Sequence, residues 1–386
     1  MADQDILSNE SSLGSIQIKE HDIQVYQQQE HKPHILKYVP INLRLDQSCK
    51  KRILFLAIFY FCLTSYFLLV EIQQDRWRKS AGGRSGSVLS GGSGPVVLMV
   101  VVCSAVSNFG ARTAIRKSWG SEARSLPGVK VVFLVGKINS VQMIKGKLRS
   151  PKDLQQQVQE ENLEHGDILQ KGFIDTYRNL TLKSLALLRL VADLCKGPKD
   201  EKGGGCPQHV LKTDDDMYIN LSALLMVAQS QGTVKKVLLG ALICGSKPTQ
   251  DRTSKWFVPN NRFVFKTYPP YLSGTAYLMS RSTVKSLHAA AKHQATFPLE
   301  DVFVTGILAA RAGIRPRDHP GFSYRHRKLE PCSVTRTVTT HRVGPGEMVD
   351  LWKSIKKMKG EGNKACHGEK RWLSREHGPG KCPWPL

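Results

Sequence analysis

The apolar residues of this chain fall into short unbroken runs, separated by polar, glycine-rich or amphipathic stretches. The longest, residues 53–70 (ILFLAIFYFCLTSYFLLV), carries no charge and approaches the roughly 20 residues a helix needs to cross a bilayer. The next, residues 95–106 (PVVLMVVVCSAV), is valine-rich and strand-sized, the pattern of a strand buried on both faces. From there the pattern alternates. Residues 129–135, 209–212 and 237–243 read as further strands, and 270–280 as extended. Residues 111–119, 180–194, 221–228, 282–293 and 301–312 read as helices. Strands alternating with helices predict an α/β domain around a mostly parallel sheet. Such sheets bind ligands at the carboxyl ends of their strands.

The first run decides the topology. Lys50, Lys51 and Arg52 precede it, and Glu71 and Asp75 follow. The positive-inside rule then keeps the N-terminus cytosolic and sends the chain after residue 70 into the lumen. Against a secretory signal peptide stand the late start of the run and the lack of an A-x-A-like cleavage site. Against a buried core helix stands its apolarity on every face. Residues 1–52 are polar and predict a disordered cytosolic tail. Residues 71–94 include RWRKSAGGRSGSVLSGGSG, which predicts a flexible stem. Residues 95–386 then make one lumenal domain.

Composition adds two constraints. The hydrophobic and charged fractions, 41% and 23%, are ordinary, but the net charge of +24 over 386 residues is not. A strongly basic chain suits nucleic acid, anionic membrane or acidic polysaccharide, and a lumenal domain removes nucleic acid from that set. The last stretch, 311–386, is itself basic, with 17 Lys/Arg against 7 Asp/Glu. Seven cysteines follow the span: Cys103, Cys195, Cys206, Cys244, Cys332, Cys366 and Cys382. An odd number leaves at least one unpaired within the chain, with the connectivity open, and none has C-x-x-C zinc spacing. Asn179 and Asn220 head lumenal N-glycosylation sequons, whereas the sequon at Asn9 faces the cytosol.

Three clusters carry candidate chemistry. In LKTDDDMYIN, residues 211–220, three adjacent carboxylates close a strand. They repel one another, and a cation relieves the repulsion. If the segment is extended, Asp214 and Asp216 point to one side and suit Mg²⁺ or Mn²⁺; the alternative is a solvated turn or a cap for the following helix. Glu300-Asp301 opens a predicted helix, where it either complements the helix dipole or supplies a general base. His341, in Thr340-His341-Arg342, either completes a metal site or is simply structural. No G-x-x-x-x-G-K-[ST] loop is present, which leaves a P-loop nucleotidase unsupported.

These segments resemble, in order, the motifs of the β1,3-glycosyltransferase family, which holds β1,3-galactosyltransferases, β1,3-N-acetylglucosaminyltransferases and Fringe enzymes. Residues 112–120 (RTAIRKSWG) are similar to its R-x-x-I-R-x-[ST]-W motif, and 179–183 (NLTLK) to its N-L-T-x-K segment. KTDDDMYIN is similar to its metal-binding strand end, and 268–280 (YPPYLSGTAYLMS) to its Y-P-x-Y-x-x-G-x-x-Y-x-x-S segment. EDVFVTG and 341–352 (HRVGPGEMVDLW) resemble its E-D-V-[FY]-x-G motif and late histidine block. Together the motifs cover roughly residues 95–352.

The resemblance implies a Rossmann-like GT-A fold behind a single transmembrane helix, in a type II protein of the Golgi membrane. It implies a UDP-sugar donor, Mn²⁺ and inversion at the anomeric carbon. Carried over, Asp216 and His341 hold the metal, and Asp214 and Asp215 lie by the donor. Arg112 and Arg116 face uridine and diphosphate, with Glu300 also at the donor. Trp256, with residues 268–276 and so Gly274, walls the cleft, and Asp301 is the catalytic base. The expected donor is UDP-galactose, with UDP-N-acetylglucosamine or a non-catalytic glycan-binding role as alternatives. The acceptor is a glycan on glycoprotein or glycolipid. Ser273 stands where the galactosyltransferases commonly have cysteine, which implies altered disulfide pairing, and Ala276 where they commonly have glycine. The stretch 200–206 looks like an insertion.

Overall fold

In the computed structural model of the chain, the residues described are 96–138, 142–144, 147–196, 205–232, 234–259, 263, 265–360 and 382. The predicted cytosolic tail, the 53–70 span and the stem lie outside them, as do most of the stretch 200–206, expected to be an insertion, and most of the chain after 360. Among the described residues no helix is long and apolar enough to cross a membrane.

The strands are β1 (Leu98–Cys103), β2 (Val129–Lys137), β3 (Gln142–Ile144), β4 (Lys147–Arg149), β5 (Ile168–Ile174), β6 (His209–Asp214), β7 (Met217–Ile219), β8 (Leu238–Ile243), β9 (Tyr271–Ser280), β10 (Arg317–Asp318) and β11 (Thr339–His341). The helices are α1 (Phe109–Lys117), α2 (Pro151–His165), α3 (Leu180–Leu194), α4 (Leu221–Ser230), α5 (Arg281–Ala291), a π-helix over Val302–Leu308 that runs on into α6 (Ala309–Arg311), α7 (Pro331–Thr335) and α8 (Pro345–Gly360). The main sheet has the order β10-β8-β9-β6-β1-β2-β5. β5, β2, β1 and β6 are parallel, and β9 runs antiparallel between β6 and β8.

β1 shows why its sequence is unbroken apolar. All six of its residues are buried. Leu98, Val100 and Val102 pack into one core with Trp119, Phe133, α4 and α8. Met99 and Val101 pack into the other with Leu134, α3 and α5. Alternate side chains point to opposite faces, and with helices on both faces every position must be apolar.

Chain order within the parallel strands reverses at β1: β2 and β5 lie on one side of it, β6 on the other. Such a switch point opens a crevice at the carboxyl ends of the strands, here between Ser104, after β1, and Asp214, the last residue of β6. β7 continues from β6 after a two-residue turn and pairs antiparallel with β11, setting His341 opposite Met217. The ribbon thus carries a residue from late in the chain to the aspartate cluster.

The 195–206 segment is closed by a Cys195–Cys206 disulfide, and Cys244 is joined to Cys382. Cys332 is also disulfide-bonded. Cys103, buried at the end of β1, is free. Ser273 shares a hydrogen bond with Thr275 at 3.1 Å instead of entering a disulfide.

Candidate active site

The three aspartates take different partners. β6 ends at Asp214, and Asp215 and Asp216 occupy the turn that follows, so strand alternation no longer governs them. The premise of the one-side expectation, an extended segment through Asp216, does not hold. Asp214 accepts from Lys212 Nζ at 2.7 Å. Asp215 accepts from Ser104 Oγ at 2.6 Å and Asn108 Nδ2 at 3.0 Å, which ties the turn to the end of β1 across the crevice. Asp216 Oδ2 lies 3.3 Å from His341 Nε2. None of the three caps α4; Asn220 does, accepting from Ala223 N at 3.1 Å.

The histidine is oriented from behind. Its Nδ1 lies 2.6 Å from the Tyr324 carbonyl, which can only accept, so Nδ1 carries a proton and Nε2 faces Asp216. Burial works against the charged imidazole, but the Asp216 hydrogen bond and charge outweigh it and raise the His341 pKa. Burial raises and His341 lowers the Asp216 carboxyl, with a net fall. Arg342, next in the chain, holds a left-handed φ of 60°, a conformation costly for a residue with a side chain. A carboxylate and an imidazole whose far nitrogen is held by the Tyr324 carbonyl fit a divalent metal of Mn²⁺ type. Among the described residues no group of three or more His, Cys, Asp or Glu converges, so such a metal would take its remaining ligands from substrate or water.

Asp301 stands beside β9, the antiparallel neighbour of β6, just before the π-helix. Its Oδ1 accepts from Val302 N at 2.9 Å and its Oδ2 from Gly274 N at 3.3 Å. A Cβ on Gly274 would lie 3.1 Å from Glu300 Oε2 and 3.3 Å from Asp301 Cβ, so any side chain here would push on both carboxylate residues. Thr305 Oγ1 accepts from Leu272 N at 2.8 Å and donates to the Asp301 carbonyl at 2.6 Å, fastening the π-helix to β9. Burial, then the neighbouring charge of Glu300, pushes the Asp301 carboxyl up to about 6, against the opposing effect of its two backbone N–H partners and Lys212.

Beneath both carboxylate groups lies a buried polar network that sequence reasoning missed. Lys212, 2% exposed, donates to Asp214 and to the Gly274 carbonyl, and its Nζ is 3.7 Å from Glu300 Oε2. Glu300 Oε1 accepts from Ser184 Oγ at 2.6 Å and Tyr277 hydroxyl at 2.7 Å. Burial pushes Asp214 up to about 6 even though Lys212 pulls it down. The signal for Lys212 was available: a lysine inside an apolar strand, two residues before Asp214 and therefore on the same face.

Arg112 and Arg116 are placed differently from the expectation. Arg112 is fully buried. Its Nε and one Nη2 hydrogen go to Glu161, the other Nη2 hydrogen to the Val106 carbonyl, and Nη1 to Ser104 Oγ and the Ala105 carbonyl. All five guanidinium donors are spent, and none remains for a diphosphate. Its link to the site is indirect, through Ser104 to Asp215. Arg116 lies one turn on, paired with Glu161 and Asp167 at 2.7 Å each, away from the crevice.

Glu300, 7% exposed, braces the site from below. Trp256 is 54% exposed, on a loop beside a cleft of about 1020 Å³ whose wall includes Tyr177, Lys255 and Leu299. Burial, then the charge of Asp301, raises the Tyr177 hydroxyl, which takes a hydrogen bond from Trp256. Of the sequon residues, Asn179 Nδ2 donates to the Ile174 carbonyl at 2.9 Å and Asn220 Nδ2 to the Thr335 carbonyl at 3.3 Å. Both amide nitrogens that would carry a glycan are thus engaged by main chain.

A sheet with this switch point, carrying carboxylates after β6 and beside β9, has the frame of an enzyme. The chain matches the Galactosyltransferase family over residues 110–320. An acetylgalactosaminyl-O-glycosyl-glycoprotein β-1,3-N-acetylglucosaminyltransferase of Homo sapiens is 34% identical over 291 residues, 73% of this chain and 69% of that one. The β-1,3-galactosyltransferase 1 of Mus musculus is 31% identical over 266 residues, 68% of this chain and 74% of that one. The chain belongs to the β1,3-glycosyltransferase family and is a hexosyltransferase. A solved galactosyltransferase, LgtC in complex with donor and acceptor sugar analogs, aligns with a TM-score of 0.33 at 13% identity, over 68% of this chain and 99% of that one, a likeness too distant to refine that assignment.

Proposed function

We propose that the chain transfers galactose from UDP-galactose to a glycan hydroxyl in β1,3 linkage, with inversion, in a GT-A-type fold. The observation that carries this reading is the crevice itself. Asp216 and His341 pair just after β6, Asp301 lies beside the neighbouring β9, and Lys212 is hydrogen-bonded to Asp214 and to the same Gly274 that donates to Asp301. N-acetylglucosamine is the second donor reading, favoured by the human relative at 34% identity.

The chemistry follows from charge. Displacement at the anomeric carbon leaves UDP with more negative charge than it had in the donor. Asp216 and His341 would hold Mn²⁺, which when bound supplies positive charge for the diphosphate. Asp301 accepts the proton of the attacking hydroxyl. Its raised pKa of about 6 brings it nearer neutral pH, where a general base works best. A single displacement, with no covalent intermediate, inverts the α-linked donor to a β product. Lys212 and Glu300 hold the two halves in register, and Arg112 fixes the Asp215 turn through Ser104.

The apolar run at 53–70 and its flanking charges support a single-pass type II protein of the Golgi membrane, with residues 95–386 lumenal and acceptors on glycoproteins or glycolipids. The test is a donor screen of the full chain against an acceptor array, with and without chelator, beside Asp216→Ala. Transfer of galactose lost in chelator and in the variant is expected. Undiminished turnover by Asp216→Ala refutes the assignment of the metal site.

A further inference from the structure

The cleft beside Trp256 has a composition that the transfer reaction alone does not require. Its lining includes Arg178, Arg252 and Lys255, and among the described residues it contains no carboxylate. All three cations are exposed, and among the described residues none is paired with Asp or Glu. Lys255 Nζ lies 4.8 Å from the ring centre of Trp256 and 5.5 Å from that of Tyr177, so it is held at the mouth by ring faces. Tyr177 and Trp256 are 51% and 54% exposed, broad apolar faces beside the charges.

Position separates this cleft from the proposed donor side. Met217, Tyr218, Val338 and Val343, which flank Asp216 and His341, pack into the core on one face of the sheet. Phe297, itself in the cleft wall beside Leu299, and Val302, which follows Asp301, pack into the core on the other. Asp301 stands between. Displacement with inversion brings the acceptor from the side opposite the leaving diphosphate, which puts the cleft on the acceptor side.

We propose that this cleft binds an anionic acceptor, a glycan bearing sulfate or carboxylate groups on the sugar next to the one that reacts, with Arg178, Arg252 and Lys255 meeting the anion and Tyr177 and Trp256 the sugar faces. The inference rests on the transferase reading for the word acceptor and on the cleft's own charges for the word anionic. An array of unpaired cations in a walled cleft attracts anions more strongly than isolated surface charges do.

Two measurements on the full chain test it. The first is the KM for a neutral N-acetyllactosamine oligosaccharide and for the same oligosaccharide carrying one sulfate on the penultimate sugar. The expected preference is about fivefold for the sulfated form at low salt, the scale of one or two partly screened ion pairs, shrinking in 0.5 M salt over roughly a 4 Å Debye length. The double substitution Arg252→Gln with Lys255→Gln should abolish the ratio through acceptor KM, while Lys285→Gln, on the exposed side of α5, leaves it in place. The second is direct binding of the two oligosaccharides without donor. Equal KM and equal binding for the pair overturn the proposal, as does a double variant whose effect falls on donor KM alone. Selective binding of the sulfated form without transfer from any UDP-sugar supports the anionic cleft and sinks the transferase reading. Transfer without charge preference does the reverse.

Discussion

Replacing Asp301 by asparagine should move stability and activity in opposite directions at neutral pH. The wild-type carboxyl is raised from 3.8 to about 6, chiefly by burial. Its folded pKa therefore exceeds its unfolded one. The stability this group contributes is complete below the unfolded value and is lost as pH rises through about 6. A shift of that size corresponds to about 3 kcal/mol at pH 8, and partial exposure of the side chain discounts it to about 2 kcal/mol. Asparagine carries no charge and avoids that penalty. It keeps one acceptor oxygen for Val302 N but turns an amide toward Gly274 N, forfeiting a bond worth about 1 kcal/mol. The expected net effect is a gain of about 1 kcal/mol at pH 8, turning into a loss of about 1 kcal/mol at pH 4. Transfer, by contrast, should fall by about 10²–10⁴, the usual contribution of a general base. Thermal unfolding of the detergent-solubilised enzyme at the two pH values, beside UDP release at saturating donor and acceptor, measures both. Retention of more than about a tenth of wild-type transfer would refute the base. A variant less stable than wild type at pH 8 would refute the electrostatic account and leave Asp301 a helix cap.

In the wild type, kcat/KM with a neutral acceptor should fall with single-proton slope below about pH 6, following the Asp301 carboxyl; a flat profile from pH 5 to 8 would contradict it. Lys212→Met leaves Asp214 and Glu300 without their buried counter-charge and should cost about 3–5 kcal/mol in unfolding free energy, and a loss under about 1 kcal/mol would show the network to be solvated. Gly274→Ala sets a methyl 3.1 Å from Glu300 Oε2 and should slow transfer by about tenfold to a hundredfold through a displaced base; unchanged kcat would show that the helix yields without moving Asp301.

What could be read from residues alone divides along a physical line. The valine-rich run that became β1 was legible because a strand buried on both faces admits no polar position. α3 and α4 were legible from their apolar spacing. α2 was not: in PKDLQQQVQEENLEH only Leu154 and Val158 are buried, too sparse a stripe to stand out from a polar loop. β5, at the sheet edge, buries only its first two residues fully and shows no clean pattern. α8 does carry Met348, Leu351, Trp352, Ile355 and Met358 at helical spacing, but its first residues read as part of a histidine motif. At the site, the family resemblance pointed to Asp216, His341 and Asp301, where spacing alone left a turn, a cap or a structural histidine open. It could not show that Arg112 spends every donor inside the protein, because a guanidinium's partners lie in segments as distant as Glu161. Nor could it show that the aspartate triplet straddles a turn, since that depends on where β6 stops pairing.

The Cys195–Cys206 disulfide has a consequence for how this chain can change. Its Cα atoms are 5.0 Å apart, and they join the end of α3 to the approach of β6, the strand that ends in the aspartates. With that junction clamped, the length of what lies between the two cysteines is decoupled from the spacing of the elements outside them. Residues can be gained or lost between the two cysteines without altering the register of β6 against β1. The same decoupling makes this stretch the natural place to graft an affinity tag into the folded enzyme.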